Sequence, residues 1–202
     1  GNGSDVSCGA CACCRSRSFA QAVGDERLNV LVIQRARRLG RHIVNFDHVL
    51  ALLRASGHVL DVTVMDLSVD GPTADHSGNR SPVAQLLMMP RFDLVIGAYG
   101  AALTFSAFMH SGVMIELFPS LPPSSMMLCN DGWNANPYTV YGGLAKQSGT
   151  RHVCLPAGLH AESETLPQWR DLHIDVDIDR FSSFVSSAVE WLLADRYNLS
   201  GA

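Results

Sequence analysis

The sequence predicts an α/β fold, a parallel sheet covered by helices on both faces, and three observations carry that expectation. Short apolar runs such as 29–34 (NVLVIQ), 93–97 (DLVIG) and 113–117 (VMIEL) lack an alternating polar face, as strands buried on both sides do. Stretches with apolar residues at helical spacing lie between them. The two kinds of segment alternate along the chain, the pattern of βαβ units. A hydrophobic share of 47% and a charged share of 17% over 202 residues belong to a chain that buries an ordinary core.

The first 25 residues or so, from Gly1 to about Asp25, are Gly, Ser, Cys and Arg without a period and read as a tail. Cys8, Cys11, Cys13 and Cys14 crowd it. CxxC spacing suits zinc where a second ligand pair waits at a distance, and the Cys13-Cys14 adjacency fits that poorly, so the tail reading is preferred. The chain begins with Gly, which suggests a fragment or processed piece of a longer protein.

A single domain is expected over 26–199. Residues 29–34 form its first strand. Phe46, Val49, Leu50 and Leu53 recur at i, i+3, i+4 and i+7, which predicts a helix ended by Gly57. A second strand covers 62–67, and the turn-rich stretch 71–79 is a surface loop. Ser81-Pro82 reads as N-cap and first helical residue, with Val83, Leu86 and Leu87 facing inward. The strand 93–97 then leads into a Gly/Ala-rich helix start, and 113–117 is the next strand. Leu121-Pro122-Pro123 breaks the pattern. Asn136-Pro137 opens a helix whose inner face is Val140, Tyr141, Leu144 and Ala145, ended by Gly149. Another strand covers 151–155. Leu172, Ile174, Val176 and Ile178 alternate with His173, Asp175 and Asp177, a strand with one wet face. Asp179 is the expected cap of the last helix, which buries Phe181, Phe184, Val185, Ala188 and Leu192.

The formal net charge of −4 gives no reason to expect nucleic acid as a partner. Locally the picture differs: Arg27, Arg35, Arg37, Arg38 and Arg41 fall in one short stretch, an anion-binding signal. No apolar run is long enough to span a membrane. Sequons at Asn2, Asn79 and Asn198 are mild support for the secretory pathway, where disulfides are also permitted.

In a Rossmann-like sheet of this kind, ligands bind beyond the carboxyl ends of the strands. That rule selects 34–45, 97–104 and 116–119. In 97–104 (GAYGAALT) small residues let the backbone approach a ligand, and the free N–H groups of a helix start favour phosphate; close helix–strand packing selects the same residues. Glu116 is placed to accept hydrogen bonds from ribose hydroxyls, or else is a solvent-facing strand end. In 35–45 (RARRLGRHIVN) the arginine forks match phosphate oxygens. Asn45 either contacts the ligand or caps the helix that follows, and the cap is favoured.

The order of these pieces resembles glycosyltransferase family 61. The matching segments are QRARRLGRHIVN, DLVIGAYGAALTFSAFM and GVMIELFP, followed by YGGLAKQSGTRHV, and the likeness spans roughly 28–155. The resemblance implies the C-terminal domain of a GT-B glycosyltransferase, two Rossmann-like domains with the active site between them. It implies inverting transfer of a sugar from a nucleotide-sugar donor, commonly UDP-linked, to a glycan or protein hydroxyl, with no metal or other cofactor required. Carried over, Arg35, Arg41 and Asn45 match the basic motif, Tyr99, Gly100, Ala101, Ala102, Leu103 and Thr104 the helix-start motif, and Glu116 the acid, all on the donor side. The chain departs from the family at Tyr99, where His is usual, at Ala102, where Gly is common, and at Phe105, where Asn follows the Thr.

The implied partners are the donor, the acceptor, and an acceptor-side domain that would precede this one; the implied location is the Golgi or endoplasmic reticulum lumen. A general base for the acceptor hydroxyl is not assigned, and Asp47, His48 and His110 are candidates by type alone. Two other readings are a non-catalytic relative that binds nucleotide, and a nicotinamide-binding oxidoreductase, although Val95 stands where G-x-G-x-x-G needs its first glycine. Asp175, Asp177 and Asp179 form D-x-D-x-D, whose carboxylates on one strand face would lie about 6.5 Å apart. The other glycosyltransferase architecture uses D-x-D to hold a divalent metal on the donor diphosphate; the blander account is a wet edge strand running into an Asp-capped helix.

Overall fold

The computed structural model describes residues 27–35, 37, 40–56, 60–66, 82–119, 129, 132–133, 140–160 and 173–199. The expected tail, the loop 71–79, Leu67, Leu172, the helix signals Gly57, Ser81 and Asn136-Pro137, the break at 121–123, and the sequons at Asn2 and Asn79 lie outside them.

Strands β1 (Leu28–Gln34), β2 (Leu60–Asp66), β3 (Leu94–Ala98), β4 (Gly112–Pro119) and β6 (Thr150–His160) are parallel, in the order β2-β1-β3-β4-β6. Strands β5 (Gly132–Trp133) and β7 (His173–Asp175) pair antiparallel with β6. Taken by themselves, the parallel strands have the order 2-1-3-4-5, one of the two common doubly wound arrangements. The order reverses between β1 and β3. Connections leave those two strands on opposite faces of the sheet, so a crevice opens at their carboxyl ends.

Every residue of β3 and β4 is buried, and in β1 only Asn29 is not, as the apolar runs require. On one face Val30, Val32, Ile96, Ile115 and Leu155 meet helices α1 (Phe46–Ala55) and α4 (Ile178–Leu199) through Val49, Leu53, Phe181, Val185 and Ala188. On the other, Leu31, Ile33, Val95 and Met114 meet a 3₁₀ helix (Ala101–Phe108) and α3 (Val140–Ser148) through Leu103, Tyr141 and Ala145. Each large apolar side chain taken wholly from water contributes about 1.5–3 kcal/mol. The amino ends of the strands are tied by Asp93, which accepts from the Asn29 backbone N–H at 2.7 Å and from Arg196 of α4.

Several expectations about faces are corrected. In α2 (Pro82–Met88), Val83 and Leu87 are 64% and 67% exposed, while Gln85 is buried. The helix is two turns long and runs into a 3₁₀ turn (Met89–Arg91); Gln85 and Met89, four apart, make the inward stripe, and Val83 and Leu87 lie on the opposite side. Likewise Val140 is 66% exposed, although Tyr141 and Ala145 of α3 are buried, and Gly149 ends that helix at φ 75°. His173 is buried rather than on a wet face, because β7 lies between β6 and a parallel bridge at Ile43. Asp177, not Asp179, caps α4: its Oδ1 accepts the Arg180 N–H at 3.0 Å, and Asp179 falls in the first helical turn.

Candidate functional site

Arg35 is the first residue beyond β1, and the chain must turn back at once to start α1. Gln34, buried at the end of β1, fixes that loop: its Oε1 accepts from the backbone N–H of Arg35 (3.0 Å) and Ile43 (3.1 Å), and its Nε2 donates to Ile43 O (3.0 Å). Within the loop Gly40 and Arg41 both take left-handed backbone, φ 64° and 56°. That conformation costs a non-glycine residue about 1–2 kcal/mol. Its effect is to aim the Arg41 side chain across the switch point, where Nη1 donates to Tyr99 O at 2.7 Å and the guanidinium stands 5.7 Å from the centre of the Tyr99 ring.

Gly100 receives both arginines. A Cβ there would lie 2.4 Å from Arg35 Nη1 and 3.5 Å from Arg41 Nη1, so the Arg35 fork occupies space that only a glycine leaves. The φ of Gly100, 164°, is ordinary extended backbone, and the need for glycine is one of close approach alone. The helix that starts here is wound as 3₁₀ rather than α. Its period of three places Leu103, Ser106 and Met109 in one buried line. The Leu103 N–H bonds Gly100 O at 2.9 Å, which leaves the N–H groups of Ala101 and Ala102 without an intrahelical acceptor beside two guanidiniums.

Burial, and then Arg41, lower the pKa of Arg35 below its ordinary value, against a smaller opposing influence from Tyr141. Two cations are thus held close together beside Gly100, each lowering the other's affinity for its proton. Tyr141, reaching in from α3, stands 5.4 Å from Tyr99 ring to ring, and Phe118 is 5.2 Å from Tyr99 on another side. Burial, followed by Tyr99 and Glu116, raises the pKa of Tyr141, while its hydrogen bond with Thr104 and the nearby Arg41 act the other way.

Glu116 is not a solvent-facing strand end. It is fully buried, and its Oε2 lies 2.6 Å from Nε2 of His152 in β6. Its Oε1 has no hydrogen-bond partner among the described residues.

Arg35, Arg41, Tyr99, Gly100 to Thr104 and Glu116 therefore gather at one end of the sheet. Asn45 is different. It occupies the N-cap position of α1 but makes no side-chain cap bond. Its amide instead pairs with the Val176 backbone, donating to the carbonyl at 2.7 Å and accepting from the N–H at 3.1 Å, which fastens α1 to the start of α4. Ala102 and Phe105 pack into the apolar layer under the 3₁₀ helix. Asp47 and His48 are exposed on the first turn of α1, and His110 is exposed just ahead of β4, at the far end of the sheet. Asp175, Asp177 and Asp179 belong in turn to a strand end, a cap and a helix, so they do not share a strand face; among the described residues no group of three or more acidic, His or Cys side chains is gathered to hold a metal.

No family model and no curated protein matches this chain.

Sequence reasoning missed Gln34, His152 and a disulfide between Cys129 and Cys154. Cys154 sits opposite Glu116 in the β4–β6 register and packs with Phe118, Tyr99 and Cys129, so the bridge holds Cys129 beside the aromatic wall of the site. The two cysteines lie 25 residues apart with no motif around them, and only the residual even count of Cys outside the tail hinted at a pair.

Proposed function

We propose that this chain is the nucleotide-sugar-binding half of an inverting glycosyltransferase of the GT-B type. The observation that carries the reading is the convergence of Arg35 and Arg41 on Gly100 at the switch point between β1 and β3. A diphosphate fits such a place on charge and on shape. The forks present paired donors to its oxygens, the Ala101 and Ala102 N–H groups add two more, and the missing Cβ lets the phosphates come close. Glu116, buried within the adjacent strand β4, carries a carboxylate oxygen without a partner among the described residues that would accept from ribose. In sugar transfer the same fixed cations would stabilise the negative charge that develops on the departing nucleotide diphosphate. The acceptor, and the base that removes its proton, would come from the acceptor-side domain. The Cys129–Cys154 bridge supports an oxidising compartment, in keeping with the Golgi or endoplasmic reticulum lumen.

A second reading, a relative that binds nucleotide without transferring sugar, is favoured by Tyr99. Its ring is held between Phe118, Tyr141 and Arg41 and cannot supply the charge of an imidazolium.

Thermal unfolding in the presence of UDP, UDP-GlcNAc, UDP-xylose, GDP and NADH, with and without EDTA, tests the site. A ligand at a hundred times its Kd stabilises the folded state by about 2.7 kcal/mol. The expected outcome is a shift with the UDP compounds that survives EDTA and is lost in Arg35→Ala and Arg41→Ala. A response to NADH alone would replace the reading with the oxidoreductase, and dependence on a divalent ion would replace it with a metal-assisted transferase. Restoring His at Tyr99 in the full-length protein then separates transfer from mere binding.

A further inference from the structure

Glu116 has no exposed surface. A carboxylate in that position is costly unless both oxygens find donors, and buried polar atoms in folded proteins nearly always do. Here only one does. Oε2 is held by His152 Nε2 at 2.6 Å, while Oε1 of Glu116 and Nδ1 of His152 have no partner among the described residues. A pair retained for stability alone would be better replaced by two apolar side chains, since Met114 and Phe118 flank Glu116 on the same face of β4 and both lie in apolar clusters. The pair is therefore explained by what its unused oxygen accepts.

The register says which way the pair is built. His152 lies opposite Met114, and Glu116 lies opposite Cys154, so the imidazole approaches the carboxylate from two residues nearer the amino end of the strands. That leaves the crevice side, where Arg41, Tyr99 and Tyr141 stand, to the other oxygen. We infer that His152 is a positioning residue, which holds Glu116 by Oε2 so that Oε1 is fixed as the acceptor for a ribose hydroxyl of the bound nucleotide. The inference rests on the donor-site reading above. Because Glu116 is fully enclosed, the hydroxyl reaches Oε1 only as the side chains over it move aside.

The test compares the affinities of UDP and 2′,3′-dideoxyuridine diphosphate, by calorimetry, in the unaltered chain, in His152→Leu and in His152→Gln. A hydrogen bond to a charged, desolvated acceptor supports a preference for UDP on the order of tenfold or more in the unaltered chain. In His152→Leu that preference collapses to about one while the affinity for the dideoxy nucleotide stays unchanged. His152→Gln, which keeps an N–H at similar reach, restores most of it. Equal loss of both affinities in His152→Leu would mean a merely structural role and overturn the inference, as would a preference that survives intact. A chain that binds UDP without any preference overturns the inference and leaves the phosphate site standing, and a chain that binds neither nucleotide overturns both. Should His152→Leu fail to fold, nitrogen NMR of His152 in the unaltered chain decides: its Nε2 signal should move with UDP and not with the dideoxy compound, and the same response to both would overturn the assignment.

Discussion

Asn45 shows how one side chain's chemistry fits two roles until its partners are known. An amide carries donor and acceptor together, which suits a ligand, a helix cap or a pair of backbone groups equally well. In this fold both ends are spent on Val176, 131 residues away in sequence, where they satisfy an N–H and a carbonyl at the turn into α4. Asn45→Ala should therefore cost about 2 kcal/mol of stability, two hydrogen bonds' worth, and leave the affinity for UDP within a factor of about two. Chemical denaturation and a binding isotherm on the same variant check it. A large loss of affinity at unchanged stability would return Asn45 to the donor site.

At the scale of elements, the segment from β3 through Gly100 into the 3₁₀ helix joins packing to binding, and its glycines divide the work. Gly97 sits where a Cβ would meet Leu103 and Ile33 at 3.1 and 3.3 Å, inside the core, whereas at Gly100 the obstructing atom is the far end of Arg35. Gly100→Ala should therefore change stability by less than about 0.5 kcal/mol, because its backbone suits any residue and the Arg35 tip has room to move. The displaced fork should weaken UDP binding on the order of tenfold, a charge-assisted bond's worth. Equal affinity would mean that Arg35 does not contact the phosphate. The strands around this segment were legible because burial on both faces removes polar residues from them, and the small residues of 97–104 marked a close approach. Helix faces in α2 were not, since two turns offer too few positions to tell one stripe from its opposite. Gln34 and His152 escaped for another reason: the partner of each lies across a loop or a neighbouring strand, where spacing along the chain carries no signal.

For the whole molecule, the sheet order concentrates charge and aromatic groups at one end while Asp93 and Arg196 tie the other. Tyr141 links that site end to global stability. Its phenol is held above the ordinary value of 10.0, first by burial and then by Tyr99 and Glu116, so above that pH the folded chain binds a proton that the unfolded chain has released. Stability from this group is then complete below about pH 10 and is lost as pH climbs through the raised folded value. The chain has four tyrosines, so the difference between variants is the informative quantity. Tyr141→Phe removes one titration and the bond with Thr104 together. The variant should begin less stable at neutral pH and then lose stability less steeply than the parent once pH passes 10, the two curves converging as pH rises. Urea midpoints measured at steps on either side of pH 10 give both slopes. Parallel curves would mean that Tyr141 titrates alike in the folded and unfolded chain, and that its phenol is open to water rather than buried.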